Sequence, residues 1–585
     1  MILTLLLLVT GGASTAFSLP RSLVPYSTPG LNNSARTVEI EATRQGFTYG
    51  VDDTLVRVDP WPAGPLGRDA IDQHYQDYGN QQLRIQQLVE QDVADFTAQM
   101  NRTIRLNSFE DYSKLYKGQW QKSVPGGLAE GVLSNDQSDL LFAMERLSVH
   151  PESLRRVRPD ETVTVHVEDE IALKITTQTQ SSLQKQGRLF VVDHSSLANL
   201  TLTPGKYAGA CQALFFIHPF TGDFLPLAIR PNNGSPLTYT PLDPANDWTL
   251  AKILLNSNDV WHNQWYHLGA AHVSSDLVWM SGVRSFSDAH PVWGLIRRLS
   301  VDSFAFRVAA SANLINPGGD IEKNFPWNGD EAVKYSHQVW QSEGEAWRGN
   351  YLTTKLARRG LVDCTYGPPL KSFPYYEDVS VIMDAMRTFI TDFVDSYYRN
   401  DGAIAADTEL AAWFSEAANE ASIVDFPSSI STRRELVDVL THLAYLISVL
   451  HGSLNSNSLV QYSGVLPMHP LSLYQPLPTK KGITSLLPFL PDLNASLKQI
   501  TLLAYFNQAP IVNTHDSILF LFDKPSFKER VNDKVRFAAE KFTSRLRKFS
   551  DEVAARKLDS DGLSQGMPFV WNLFNPRTAP GILAA

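Results

Sequence analysis

The stretch "WHNQWYHLGAAH", residues 261–272, carries His262, His267 and His272 at intervals of five, in a chain with only 14 histidines. An α-helix turns about 100° per residue, so positions five apart lie about 140° apart and share no face. A π-type turn, with about 4.4 residues per turn, brings i and i+5 to within roughly 50°. Imidazoles on that period in a buried helix point to metal ligands on a distorted helix, because such turns gather at functional sites. The alternative is a set of hydrogen-bonded core histidines spaced by accident. Spacing alone does not say which pair binds.

Two further stretches offer donors. In "LISVLHGSLNSN", His451 and Asn455 are four apart, about 40° around an α-helix and therefore on one side. An asparagine carbonyl oxygen can fill a weak position on a hard cation. The same residues also read as a helix C-terminus closed by Gly452 and Asn455. The chain finishes with the apolar, uncharged stretch "PGILAA". If that tail is buried, the α-carboxylate of Ala585 goes inside with it and needs a cation. Imidazole nitrogens, an amide oxygen and a carboxylate, with room for water, suit a six-coordinate first-row metal of the iron or manganese kind. Zinc prefers four ligands, and the sequence has neither CxxC nor HExxH.

The elements that must position these donors are mostly helical. From Asp247 onward, segments such as "DWTLAKILLNSNDVWHNQWYHLGAAHV", "DVSVIMDAMRTFITDFVDSYY" and "TRRELVDVLTHLAYLISVLHGSLN" repeat apolar residues at helical spacing. Asp247 and Asp407 precede such patterns as N-caps do. The run Leu436–Leu450 is apolar on nearly all sides, which predicts a helix in the middle of a large domain. "ETVTVHV", "GRLFVVDH", "CQALFFIHP" and "FLPLAIR", between 160 and 245, read as strands of a modest sheet. Residues 17–75 are rich in Pro, Gly, Asn and Ser and read as an extended N-terminal arm, and 76–585 as one catalytic-size domain. The fold expected is mainly α with a small β-sheet.

Hydrophobic residues make up 43% of the 585-residue chain, enough to build a large core. The net charge of −10 argues against nucleic acid. Two cysteines, Cys211 and Cys364, do not make a disulfide scaffold; they form one bridge or stay as two thiols. The apolar run Ile2–Val9, followed by small residues, reads as a secretory signal cut after Ala16, and no later segment is expected to cross a membrane. Sequons at Asn32, Asn101, Asn199, Asn233 and Asn494 fit a secreted glycoprotein.

From about residue 185 to the terminus the sequence resembles the lipoxygenase family, most closely its secreted fungal branch, whose members often carry manganese. The resemblance rests on "WTLAK" (Trp248–Lys252) before the histidine run and on "FPYYEDVSVIMDAMRTFITDFVDSYY", "DTELAAWF" and "SGVLPMHPLSLYQPLPTKKG". It implies a large helical catalytic domain without the N-terminal β-barrel of many plant and animal members. It implies His267, His272, His451, Asn455 and the Ala585 carboxylate as ligands of manganese, or alternatively non-haem iron, with His262 a non-ligand. The family usually ends in Ile or Val, so terminal Ala fills its pocket less well. Gln264 becomes a hydrogen-bonding neighbour of the metal-bound water, and Ala310 the position linked to stereocontrol. The implied reaction is dioxygenation of linoleic or α-linolenic acid to a hydroperoxide, begun when the metal-held hydroxide takes a bis-allylic hydrogen. Helices around 262–316 and 436–455 are the expected channel walls, and the Arg-rich 530–547 region a carboxylate tether. The alternative function is an inactive secreted lipid-binding glycoprotein of the same fold.

Overall fold

The computed structural model describes residues 22–583 except 27, 29–32, 101–103, 119, 233, 345 and 457. The leader expected at 1–16, the sequons at Asn32, Asn101 and Asn233, and Ala585 lie outside the described residues.

The segment expected as an extended arm is structured. It holds α1 (Asn33–Gly46), a hairpin of β1 (Thr48–Gly50) and β2 (Trp61–Ala63), and the start of the long helix α2 (Gly64–Met100). Helix α1 carries no hydrophobic stripe for a period search to find. Its one buried side chain is Arg36, whose Nε donates to Glu409 at 2.5 Å. The hairpin is fastened by Arg307, whose guanidinium lies 2.8 Å from Asp276, 3.5 Å from Asp52 and 4.9 Å over the Trp61 ring.

Four antiparallel strands form the main sheet in the order β3 (Leu154–Arg156), β4 (Leu189–Asp193), β5 (Gln212–Ile217) and β6 (Phe224–Arg230). Three of the expected strands are there. The fourth, "ETVTVHV", is not a strand, although Val165 and Val167 are buried. Its backbone partners come from one side chain: Gln180 accepts from Val167 N at 2.8 Å and donates to Val165 O at 2.9 Å. Alternation found the buried face but could not see that a glutamine had replaced the neighbouring strand. Among the described residues there is no β-barrel; the second sheet is the β1–β2 hairpin.

Helix α3 (Ala245–His267) runs through the core with every residue from Asp247 to Trp261 buried. A helix enclosed on all sides must have its polar groups paired. Asn258 Oδ1 accepts from Cys211 N and its Nδ2 donates to Gly209 O, both at 2.9 Å, which ties α3 to the approach to β5. Asp259 takes Arg146 at 2.6 Å and His194 at 2.8 Å. Asp247 lies inside the first turn rather than at the N-cap, which is Pro244, and its carboxylate accepts from Gly482 N and Ile483 N. Asp407 is an N-cap, accepting from Leu410 N. Cys211 and Cys364 are both free, and burial pushes the Cys211 thiol up.

After α3 come α4 (Ser274–Ser285), α5 (Pro291–Leu299), α6 (Ala305–Asn313), α7 (Pro374–Tyr397), α8 (Arg433–Ala444), α9 (His451–Leu454), α10 (Leu493–Tyr505) and α11 (Asp533–Ala554), among shorter helical turns. Within Arg433–Ser463, whose helix is broken at Asn455 and Ser456, one 18-residue window is apolar enough by length and composition to cross a membrane, but 89% of it is buried inside the molecule. It is the central helix that the run Leu436–Leu450 predicted.

Candidate metal centre

The five-residue interval between His267 and His272 is spanned by a π-helical turn, Leu268–Val273, inserted between α3 and α4. The widened turn swings both imidazoles to one side, with ring centroids 5.3 Å apart. Its packing leaves little room. A Cβ on Gly269 would sit 3.1 Å from Trp340 Cβ and 3.3 Å from the Ser336 carbonyl. Ser336 also donates its hydroxyl to Trp265 O at 2.8 Å, satisfying backbone beside the irregularity.

A second π-turn, Tyr445–Leu450, leads into the short α9, and His451 begins that helix with its ring 5.3 Å from His267 and 4.8 Å from His272. One ligating nitrogen from each histidine lies within 4.8 Å of the others, and all three residues are buried. Asn455 ends α9, with Nδ2 3.3 Å from His267 Nε2. So the i,i+4 pair and the helix C-terminus, two rival readings of "HGSLN", are both present in one turn.

The unpaired atoms are what single out this cluster. Both ring nitrogens of His272, both of His451, and Asn455 Oδ1 are buried without a hydrogen-bond partner. His267 Nδ1–H donates to Asn263 O at 3.3 Å, which puts the lone pair on Nε2, the nitrogen that faces Asn455. Burial lowers the His267 imidazole to about 4. Burial, then the neighbouring rings, holds His272 and His451 well below the usual range. All three are therefore neutral donors at physiological pH. Buried acceptors without donors are costly, and a cation satisfies them together. Three imidazoles and an amide oxygen fit a first-row transition metal.

His262 stays outside the cluster; its Nδ1 bonds Tyr335 Oη at 2.8 Å. Gln264 lies one turn before His267, and its Nε2 donates to Leu454 O at 2.8 Å. It thereby bonds the ligand helix α3 to the residue preceding Asn455. Phe306, which sequence reasoning missed, stacks on His272 at 5.0 Å and 22°. The only hint in the sequence was its position four residues before Ala310. Ala310 is fully buried on α6, one turn beyond Phe306.

A cavity of about 530 Å³ opens over Ala309 and Ala310, walled also by Tyr75, Tyr78, Leu502 and Phe506. Its walls are α2, α6 and α10 rather than the 436–455 helix. None of the arginines of 530–547 lines it; Arg536 and Arg545 pair with Asp533 and Asp384 instead.

Buried neutral histidines also set the response to acid. Burial lowers His150 and His442 to about 3, and neither belongs to the cluster. Below pH 6.5 the unfolded chain takes up protons that these native imidazoles refuse, so stability falls with pH. The expected loss is about 1.4 kcal/mol per pH unit for each, between roughly pH 6 and 4. A urea midpoint that is unchanged between pH 7 and pH 5 would show these rings to be charged in the native state.

The chain is similar to known proteins over most of its length. The family model "Lipoxygenase" matches residues 153–565. A "Manganese lipoxygenase" of Fusarium oxysporum is 41% identical, covering 94% of this chain and 90% of its own. One of Pyricularia oryzae is 41% identical over 97% of this chain and 92% of its own. A solved structure titled "Manganese Lipoxygenase" superposes with a TM-score of 0.93 at 38% identity, covering 96% of this chain and all of that one. Buried imidazoles joined by a π-turn, a match over most of the sequence and near-complete superposition agree: the chain belongs to the lipoxygenase family.

Proposed function

We propose that the protein is a manganese lipoxygenase that adds dioxygen to polyunsaturated fatty acids such as linoleic and α-linolenic acid, giving hydroperoxides. The observation that carries this reading is the set of unpaired buried donors on His272, His451 and Asn455 beside His267, in a chain about 40% identical to manganese lipoxygenases. The metal would be held by His267, His272, His451 and Asn455, with the Ala585 carboxylate as fifth ligand. When bound, the manganese supplies the one-electron oxidation that lets a bis-allylic C–H bond break and the radical take up dioxygen.

The chain's own residues do the rest. Three neutral imidazoles and a neutral amide leave the ion's charge undiminished, so the carboxylate is the only protein ligand to offset it. The Asn263 carbonyl fixes the His267 tautomer, and Phe306 holds the His272 plane. The cavity over Ala310 is the proposed entry for the acyl chain: Tyr75, Tyr78, Leu502 and Phe506 give it apolar wall beside the polar Gln82, Gln86, Asn313 and Asp320, and Ala310 lies one turn from Phe306, which stacks on His272. A misplacement of about 1 Å there costs on the order of a hundredfold in rate. Ala310 forms part of its floor, which supports its assignment to stereocontrol.

Added linoleate should give rising conjugated-diene absorbance with oxygen uptake, and elemental analysis should find manganese near one per chain. Iron in its place, or no diene from a metal-loaded sample, overturns the reading. Gln264→Ala removes the bond between the two ligand segments. Manganese affinity should fall about 10- to 100-fold, read by chelator competition, with melting little changed. Unchanged affinity would make Gln264 a packing residue only.

We also propose export and glycosylation. The apolar leader and five sequons support this, and the described acceptors Asn199 and Asn494 are both exposed. Endoglycosidase treatment of protein from the culture medium should lower its apparent mass.

A further inference from the structure

Helix α6 has two working faces. Phe306 and Ala310, four apart, share one of them: Phe306 stacks on His272, and Ala310 lines the cavity. Phe304, which caps the helix, and Arg307 and Ser311 follow at i, i+3 and i+7 and form a second face, roughly 110° round the axis. The N-terminal hairpin engages all three. Trp61 of β2 meets the Phe304 ring edge-on, with centroids 5.6 Å apart. Arg307 Nη1 donates to Val58 O at 3.1 Å and lies 3.5 Å from the Asp52 carboxylate. Ser311 Oγ accepts from Leu55 N at 2.9 Å, across 256 positions of chain. Ala310 is thus the immediate neighbour of a residue held by a distant loop.

That loop, residues 51–60 between β1 and β2, is braced from within. Asp52 accepts from Thr54 N at 2.8 Å and from Val58 N at 2.9 Å, and Asp59 accepts from Asp52 N at 2.6 Å. Asp52, Val56 and Val58 are buried. A loop closed on its own carboxylates resists displacement, so the helix takes its place from the loop. Asp276 of α4, four residues beyond His272, accepts from Ser303 Oγ at 2.6 Å and pairs with Arg307 at 2.8 Å. Arg307 therefore stands between the hairpin loop and the helix that follows a candidate ligand.

We propose that the loop 51–60 is a positioning element for the reaction. Through Arg307 and Ser311 it fixes where α6 sets Phe306 and Ala310, and so which carbon and which face of the acyl chain receive oxygen. The inference rests on the activity and the channel proposed above. It needs little energy. A fivefold change in the ratio of two products is about 1 kcal/mol between competing transition states, and a shift of α6 by a fraction of an ångström is enough for that.

The test uses the manganese-loaded full chain and linoleate. Asp52→Asn removes the charge facing Arg307 and one acceptor inside the loop, while Arg307 keeps Asp276. Ser311→Ala removes the bond to Leu55 N. Asp53→Asn makes the same change of charge on the exposed neighbour and is the control. In the double variant Asp52→Asn/Ser311→Ala, the ratio of major to minor hydroperoxide, read by chiral chromatography, should fall at least fivefold. Manganese affinity, read by chelator competition, should stay within twofold. Hydrogen exchange of the 305–313 amides should quicken at least tenfold with or without metal, and that of the ligand turn 268–273 should not change. Asp53→Asn should match wild type in every readout. Ser311→Ala alone loses a single hydrogen bond and should move the ratio about twofold; it decides the matter if the double variant does not fold. Bonds that merely hold the fold together would lower the melting temperature and leave the ratio intact. An unchanged ratio, or α6 amides no faster than in wild type, overturns the inference alone. Wild type that forms no hydroperoxide overturns the proposed activity, and this inference with it.

Discussion

His451→Ala should leave the protein folded, nearly free of manganese and at least a thousandfold slower in diene formation. His451 has no hydrogen bond to lose, because both its ring nitrogens are unpaired. Removing it therefore breaks no internal network. It leaves a cavity, which costs a few kcal/mol in a core of this size. A bound metal, by contrast, would lose one of the three buried imidazoles that hold it. A centre worth several kcal/mol of transition-state stabilisation, once lost, slows turnover by three or more orders of magnitude, at about 1.4 kcal/mol per tenfold. His262→Phe is the informative contrast. It belongs to the same five-residue period but bonds Tyr335, so it should keep its manganese and most of its activity. It should lose only about 1 kcal/mol of stability, because the Tyr335 phenol keeps Ser196 as a partner. If His262→Phe emptied the centre and His451→Ala did not, the ligand assignment would be wrong.

That contrast marks what the sequence could and could not say. The interval of five required a π-turn, and the turn is there at Leu268–Val273. The same arithmetic applied equally to His262–His267, where the helix stays regular, so period alone could not choose the pair; the family resemblance chose it. The second π-turn, Tyr445–Leu450, had no marker, because an all-apolar run has no phase to disturb. Contacts between distant segments were out of reach altogether. Arg307 joins Asp52 and Asp276 across 255 and 31 positions, and Arg36 reaches Glu409 across 373. These buried ion pairs, together with apolar anchors at Phe47, Val56, Val58 and Trp61 that follow no single period, seat the N-terminal segment. Composition therefore read that segment as an arm. The cavity over Ala310 takes one wall, α6, from the 262–316 region singled out in the sequence; its other walls, α2 and α10, meet through Ile85, Val89 and Ala504, which mostly polar segments do not advertise.

The chain end gives the second large effect. A variant carrying four extra residues after Ala585 should fold with a melting temperature near that of wild type, retain at most a tenth of its manganese and lose turnover in proportion. The described part of the tail is built inward. Ile582 and Leu583 are each 2% exposed. Ala579 O and Gly581 N are bonded to the 515–521 backbone, and Ser517 bridges Pro580. Gly581 has no space for a side chain, since a Cβ would meet Leu521 at 3.0 Å and the Ile518 nitrogen at 3.2 Å. A carboxylate held there is too costly unless it is paired. Extension converts the proposed terminal ligand to a neutral amide, while the clamps at 579–581 lie upstream and should hold. Metal content and melting temperature then part company. If both fell together, the tail would be a structural plug rather than a ligand; if neither fell, the carboxylate would lie away from the metal.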